Sequence, residues 1–152
     1  MVMDWDEWAR RAEQAIDMRA AAQRRADGAT NRGVWREMFA PGATFTDPNT
    51  PLTDDIRTIA RDTAAIFPDW RQEITRIRGG DDWAVFEWVG RATYQPPDGG
   101  PGAGAQIEMH GATVVEVNAE GLVTSWRDYL DRKEPETQIR QFLRASGGLT
   151  DR

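Results

Sequence analysis

The stretch GLVTSWRDYLDR, residues Gly121–Arg132, is where the fold and the chemistry of this chain first become readable. In a strand, alternate side chains share a face. Leu122, Thr124, Trp126, Asp128 and Leu130 then line one side, and Val123, Ser125, Arg127 and Tyr129 the other. Asp128 falls between a tryptophan and a leucine on the more apolar face, where burying its charge is costly. Two readings account for it. Either an ion pair or a strand end in water relieves the charge, or the carboxyl is a working acid or base in a pocket. Arg91, Arg127 and Arg132 are the cations an ion pair would use, and alternation sends Arg91 and Arg127 to the opposite face.

Upstream of this segment the period of two continues. Strands are expected at 71–78, 83–94, 106–117 and 122–130, with hairpin turns at Gly79-Gly80-Asp81-Asp82 and Asn118-Ala119-Glu120-Gly121. The Pro/Gly-rich segment QPPDGGPGAGA (95–105) is a loop and a candidate lid, too short for an interdomain linker. Before residue 70 the period is that of helices. Asp4 can cap a helix over 4–26, on which Trp5, Trp8, Ala12, Ala15, Ile16 and Ala20 recur three and four apart. ADGATNRG breaks that pattern. A short helix from Val34 to Phe39 ends at Pro41-Gly42, ATFTD (43–47) is a short strand, and PNTP closes it.

Thr53 is positioned to cap a helix over 54–67, whose Ile56, Ile59, Ala60, Thr63 and Phe67 form one stripe ahead of Pro68. A closing helix over 135–145 starts on Pro135 and packs through Ile139, Phe142 and Leu143. Helices, a strand, a helix, a four-strand meander and a helix in that order indicate an α+β fold, with helices covering one face of a curved antiparallel sheet. A length of 152 residues suits one domain, 1–152. A sheet bent around helices leaves a cone whose mouth can hold a small molecule.

The inward face can be inferred strand by strand. In 83–94 the even positions Ala84, Phe86, Trp88, Gly90, Ala92 and Tyr94 are the apolar set. Ala43, Phe45 and Asp47 share a face of ATFTD, and Leu122, Trp126, Asp128 and Leu130 a face of the last strand. This gives aromatic walls with two carboxylates and a tyrosine hydroxyl. An ordinary core with two satisfied polar residues has the same composition. Strand 106–117 has its apolar residues at odd positions, which puts His110 on the even face. Either His110 points outward, or the even face turns in, or a bulge near Gly111 switches the parity. Asp47, in TDPNTP, also has a plain turn-forming role open to it.

A net charge of −6 argues against a generic nucleic-acid binder, and the local arginines Arg24, Arg25 and Arg32 read as a solvated face. With no cysteine there is no disulfide and no thiolate chemistry, and one histidine cannot build a histidine-rich zinc site. The N-terminus MVMDWDEWARR lacks the apolar core of a signal peptide, and no apolar run is long enough to span a membrane. A cytoplasmic protein is the expectation.

The order of elements, with MFAPGATFTDPNTP (38–51) and GLVTSWRDYLD (121–131) at its two ends, resembles the nuclear transport factor 2-like superfamily. Within it the chain is most similar to the SnoaL-like polyketide cyclases and limonene-1,2-epoxide hydrolase, over roughly residues 10–145. The resemblance implies a cone-shaped α+β barrel with an internal pocket. The hydrolase carries a run much like Trp126-Arg127-Asp128-Tyr129-Leu130-Asp131, in which the aspartate matching Asp128 is catalytic, and the cyclases use an aspartate there as acid/base. The hydrolase's Arg and second Asp fall on Trp88 and Gly90, and its water-holding Tyr and Asn on Phe45 and Asp47. Asp47 also matches the general-base aspartate of ketosteroid isomerase, whose oxyanion-hole groups have no match. The same alignment puts His110 on a pocket-lining position.

The implied function is a cofactor-independent acid/base enzyme (a cyclase, isomerase or dehydratase) acting on a hydrophobic small molecule. Asp128 would move the proton, with His110 or Asp47 as second group and Phe45, Phe86, Trp88, Tyr94, Trp126 and Leu130 as walls. The alternatives are epoxide opening and a non-catalytic binding or dimerisation module. A homodimer is expected through the outer sheet face, where Val85, Val89, Met109 and Val115 would otherwise be exposed.

Overall fold

Asp4 does cap the first helix, its side chain accepting from the Glu7 backbone N–H at 3.1 Å. Helix α1 (Trp5–Ile16) buries Trp5, Trp8, Ala9, Ala12 and Ile16 as one stripe. It ends at Ile16, Met18 and Arg19 are helical again after a break at Asp17, and the rest of the expected 4–26 helix, Ala20 included, lies outside the described residues. The Asp17 side chain takes the Arg19 N–H, a local bond that competes with the helix, and the Met18 N–H donates to Trp70 O on the sheet side. The computed structural model describes residues 3–19 and 36–147. Arg24, Arg25, Arg32, the ADGATNRG segment and the expected helix start at Val34 lie outside the described residues. A single 3-10 turn, Arg36–Met38, leads directly into the first strand.

The strands are β1 (Phe39–Asp47), β2 (Thr50–Thr53), β3 (Arg71–Gly79), β4 (Trp83–Thr93), β5 (Gln106–Val117) and β6 (Val123–Leu130). Helices α2 (Ile56–Ile66) and α3 (Lys133–Ala145) complete the α+β arrangement. The strands form one sheet in the order β2-β1-β6-β5-β4-β3. Its neighbours are antiparallel except β1 and β6, which run parallel, so the sheet is mixed rather than wholly antiparallel.

Three local departures from the sequence reading have physical causes. Pro41-Gly42 does not end an element. It is absorbed as an irregularity inside β1, where Gly42 takes φ 79° and the register against β6 shifts between Phe39 and Thr44. The PNTP segment is a turn only at Pro48-Asn49. Its second half opens β2, an edge strand, where Pro51 is tolerated. Asp55, not Thr53, caps α2 by accepting from Thr58 N, while Thr53 Oγ1 accepts from Asp55 N.

Inside the cone, even positions of β4 and odd positions of β5 are buried, as alternation requires. The β4–β5 register runs unbroken from Trp83↔Glu116 to Thr93↔Gln106, so no bulge at Gly111 reverses the parity and His110 points outward. The parity change is in β6 instead. An irregularity between the pairs Glu116↔Ser125 and Val117↔Val123 turns Val123 inward and leaves Leu122 and Thr124 off the inner face.

The core end of the cone is aromatic. Phe86 lies with ring centroids 5.8 Å from Trp8 and 5.6 Å from Trp126. Each such pair adds about 0.5–1.5 kcal/mol beyond its buried area. Met109 and Val115 belong to this inner face, which corrects the expected outer patch. What remains apolar outside is Trp83, Val85, Val89 and Tyr129.

Helix α3 covers a gap in the sheet. β6 stops pairing with β5 at Gly111↔Leu130, leaving the edge of Gln106–His110 without a strand. Gln138 accepts from Glu108 N and donates to Glu108 O, both at 2.7 Å, and Glu134 accepts from His110 N at 3.3 Å. Side chains of a helix thus satisfy backbone groups that a neighbouring strand would otherwise pair.

Candidate active site

A cavity of about 520 Å³ opens between the inner sheet face, α2 and α3. That is within the range of small-molecule sites. Its sheet wall is Phe45, Trp70, Trp88, Tyr94, Met109, Trp126 and Leu130, and α2 contributes Ile59, Thr63 and Ile66. The sequence singled out Phe45, Trp88, Tyr94, Trp126 and Leu130 for this wall. It missed Trp70 and Met109, and it took α2's apolar stripe as packing alone. Two glycines let indole rings approach the sheet backbone closely. A Cβ at Gly90 would sit 2.2 Å from Trp70 Cη2, and one at Gly111 would sit 2.3 Å from Trp88 Cζ2.

Asp128 is half-buried on this wall, brought there by the inward parity of β6. Among the described residues no cation pairs with it. Its Oδ1 accepts from Thr113 Oγ1 at 2.5 Å and from Trp126 Nε1 at 2.8 Å, and Thr113 Oγ1 itself accepts from Trp88 Nε1 at 2.8 Å. Oδ2 has no hydrogen-bond partner among the described residues and is the oxygen left for the cavity. Burial pushes the carboxyl up to about 7, against the two hydrogen bonds that hold it down, and the charge of Asp47 adds to the rise. Near neutral pH both protonation states are populated, the condition for a general acid or base.

Asp47 also lines the cavity. Parallel pairing of Phe45 with Trp126 and Thr46 with Arg127 brings it beside Asp128 at the next step along the two strands. It keeps its turn role as well, since Asp47 Oδ1 accepts from Asn49 N at 2.7 Å. Around the mouth stand Asp62 from α2, Asn49 from the β1–β2 turn, and Arg132 and Glu136 at the start of α3. Among the described residues no group of three His, Asp or Glu side chains could hold a metal ion.

Two expected site residues lie elsewhere. His110 is on the outer face, 59% exposed, with Nδ1 2.6 Å from Glu134 Oε1, so it takes no place beside Asp128. The unbroken register of β4 with β5 is the cause. Phe86 is fully buried among Trp8 and Trp126 and forms the core behind the cavity rather than its wall. The loop 95–105 contributes nothing to the cavity lining. Its ends are tied by Gln95 N to Ile66 O and by Tyr94 N to Ala105 O, and Gly102 packs near Ile139 and Tyr94.

Comparison with known proteins bears on this geometry. The model of the SnoaL-like domain family matches residues 12–126, a span ending just before Asp128. No curated protein sequence matches the chain. A candidate polyketide cyclase from Acidithiobacillus ferrooxidans is 26% identical, with 86% of this chain and 95% of that chain covered and a TM-score of 0.63. A protein of ketosteroid isomerase-like fold from Catenulispora acidiphila, solved with trimethylamine, is 21% identical over 74% of this chain and 84% of its own, with a TM-score of 0.63. An LEH-like epoxide hydrolase of M. tuberculosis is 16% identical over 91% and 96%, with a TM-score of 0.59. The last two likenesses speak to the fold alone. Among the described residues no helix is long and apolar enough to cross a membrane.

Proposed function

The chain belongs to the SnoaL-like domain family, and on that footing we propose that it is an enzyme that moves a proton on a hydrophobic small molecule, with Asp128 as the proton-transfer residue. One observation carries the reading: a carboxyl poised near neutrality on an aromatic cavity wall, one oxygen held by two donors and the other left to the cavity. In its ionised form Oδ2 takes a proton from a carbon next to a carbonyl. The carboxylic acid so formed returns that proton to another carbon in isomerisation, to the oxygen of a second carbonyl that the enolate carbon has attacked in cyclisation, or to a departing hydroxyl that leaves as water in dehydration. Cyclisation, isomerisation and dehydration all follow this pattern and call on no cofactor. Trp70, Trp88, Trp126 and Phe45 supply flat apolar faces for the ligand, and Asp47 raises the proton affinity of its neighbour.

Trp88 and Gly90 stand where the hydrolase resemblance expects an Arg and an Asp, which weighs against opening of an epoxide by activated water. A homodimer through the outer sheet face stays part of the proposal, supported by the exposed Trp83, Val85 and Tyr129.

The test is proton exchange. In D2O a panel of hydrophobic ketones and β-keto esters is followed by NMR for loss of the α-proton signal. The wild type is expected to accelerate exchange for some members, and Asp128→Asn to abolish it with the fold intact. Full activity in that variant would sink the proposal. Unchanged ligand affinity without exchange by either protein would favour a binding module.

A further inference from the structure

Among the described residues Thr113 is the only polar residue fully shut off from solvent. Its face of β5 is otherwise Ile107, Met109, Gly111, Val115 and Val117, so packing alone does not call for a hydroxyl. Its bonds do. From β4, Trp88 Nε1 donates to Thr113 Oγ1 at 2.8 Å, and Oγ1 donates across the β5–β6 pair to Asp128 Oδ1 at 2.5 Å. An indole N–H can only donate. Trp88 therefore occupies an acceptor site of the hydroxyl and turns its hydrogen toward Asp128. The 2.5 Å separation is that of a short, charge-assisted O–H···O bond.

We infer that Thr113 is a positioning residue for proton transfer at Asp128, with Trp88 setting the direction of its hydroxyl. This rests on the acid/base reading of Asp128. Thr113 and Trp126 together saturate Oδ1 as an acceptor, so the proton that comes and goes resides on Oδ2, on the cavity side. The hydroxyl also offsets part of the desolvation, keeping the carboxyl able to ionise. The other titratable groups facing the cavity are Asp47 from β1, Asp62 from α2, Tyr94 just past the end of β4, and Arg132 and Glu136 at the start of α3. None of them touches Oδ1.

The experiment follows the Asp128 carboxyl carbon by NMR in the full chain, without ligand, as pH is varied. Thr113→Val keeps the shape and removes the donor. It should raise the Asp128 midpoint by about one pH unit, the equivalent of one lost hydrogen bond to a charged group. Thr113→Ser should restore the wild-type midpoint, and Trp88→Phe, which frees the hydroxyl to rotate, should shift it upward by less. In the ketone assay the acid limb of the pH profile should move with the midpoint. A purely structural threonine would lower stability in Thr113→Val and leave the midpoint where it was, which overturns the inference. Should Thr113→Val not fold, Trp88→Phe decides, an unmoved midpoint again being the refuting result. A wild-type midpoint near that of an ordinary aspartate refutes the acid/base reading itself, so the two failures are told apart.

Discussion

Replacing Asp128 by asparagine should stabilise this protein, and by an amount that depends on pH. Burial pushes the folded carboxyl up to about 7, from the ordinary 3.8 of the unfolded chain. Between those values the folded protein holds a proton that the unfolded chain has released, so wild-type stability falls as pH rises through the window. Below it both states are protonated and the carboxyl imposes no penalty. Above it the full cost is present. At about 1.4 kcal/mol per pH unit the gap comes to roughly 4 kcal/mol. One oxygen faces an open cavity rather than packed protein, which brings the expected gain for Asp128→Asn at pH 8 to about 2–4 kcal/mol. Asparagine keeps an oxygen to accept from Thr113 and Trp126 and cannot ionise, so its own stability should stay flat across the window. Urea unfolding of both proteins at pH 4.5, 6 and 8 measures the difference directly. The two should already differ by about 0.5–1 kcal/mol at pH 4.5, just above the unfolded value, and separate steadily above it. A variant less stable than the wild type at pH 8 by about 2 kcal/mol, the cost of a broken buried charged hydrogen bond, would make Asp128 a structural acceptor and refute the reasoning.

Three further outcomes are expected. Gly90→Ala puts a methyl group into the Trp70 ring, so it should cost about 1–3 kcal/mol and reduce cavity-ligand affinity; an unchanged unfolding midpoint would show that the ring gives way freely. His110→Ala should leave α-proton exchange untouched and lower stability only slightly, since its partnership with Glu134 is largely exposed; a loss of exchange would return His110 to the site. Sedimentation equilibrium should show a dimer that Trp83→Glu dissociates, and a wild-type monomer would remove the outer sheet face as an interface.

Much of this was legible because alternation is a geometric rule. The inward sets of β4 and β5, and the meeting of Trp126, Asp128 and Leu130 on one wall, follow from period two alone. What escaped depends on contacts between segments distant in sequence. β2 is a four-residue edge strand carrying a proline, with too little pattern to be seen without its partner β1. The parity change near Val123 is fixed by pairing with Val117, which no local pattern displays. Phe86 and Trp88 share a face, and only the position of α1 makes one core and the other wall. His110 was assigned by likeness, whereas its own strand's apolar face already pointed the other way. Thr113 was visible as a lone hydroxyl on that apolar face. Its importance needed the distance to Asp128.

The parallel pairing of β1 with β6 has a consequence for how the molecule assembles. Phe45 and Trp126 are direct partners yet lie about 80 residues apart, a closure that a folding chain completes late on entropic grounds. Until those two strands meet, Asp47 stands apart from Asp128 and adds nothing to its rise. A pH dependence confined to the unfolding limb of a chevron would place the burial of Asp128, the main cause of its rise, after the folding barrier, and one on the refolding limb would place it before. The Asp128 carboxyl thereby doubles as a kinetic reporter of when that wall of the cavity closes.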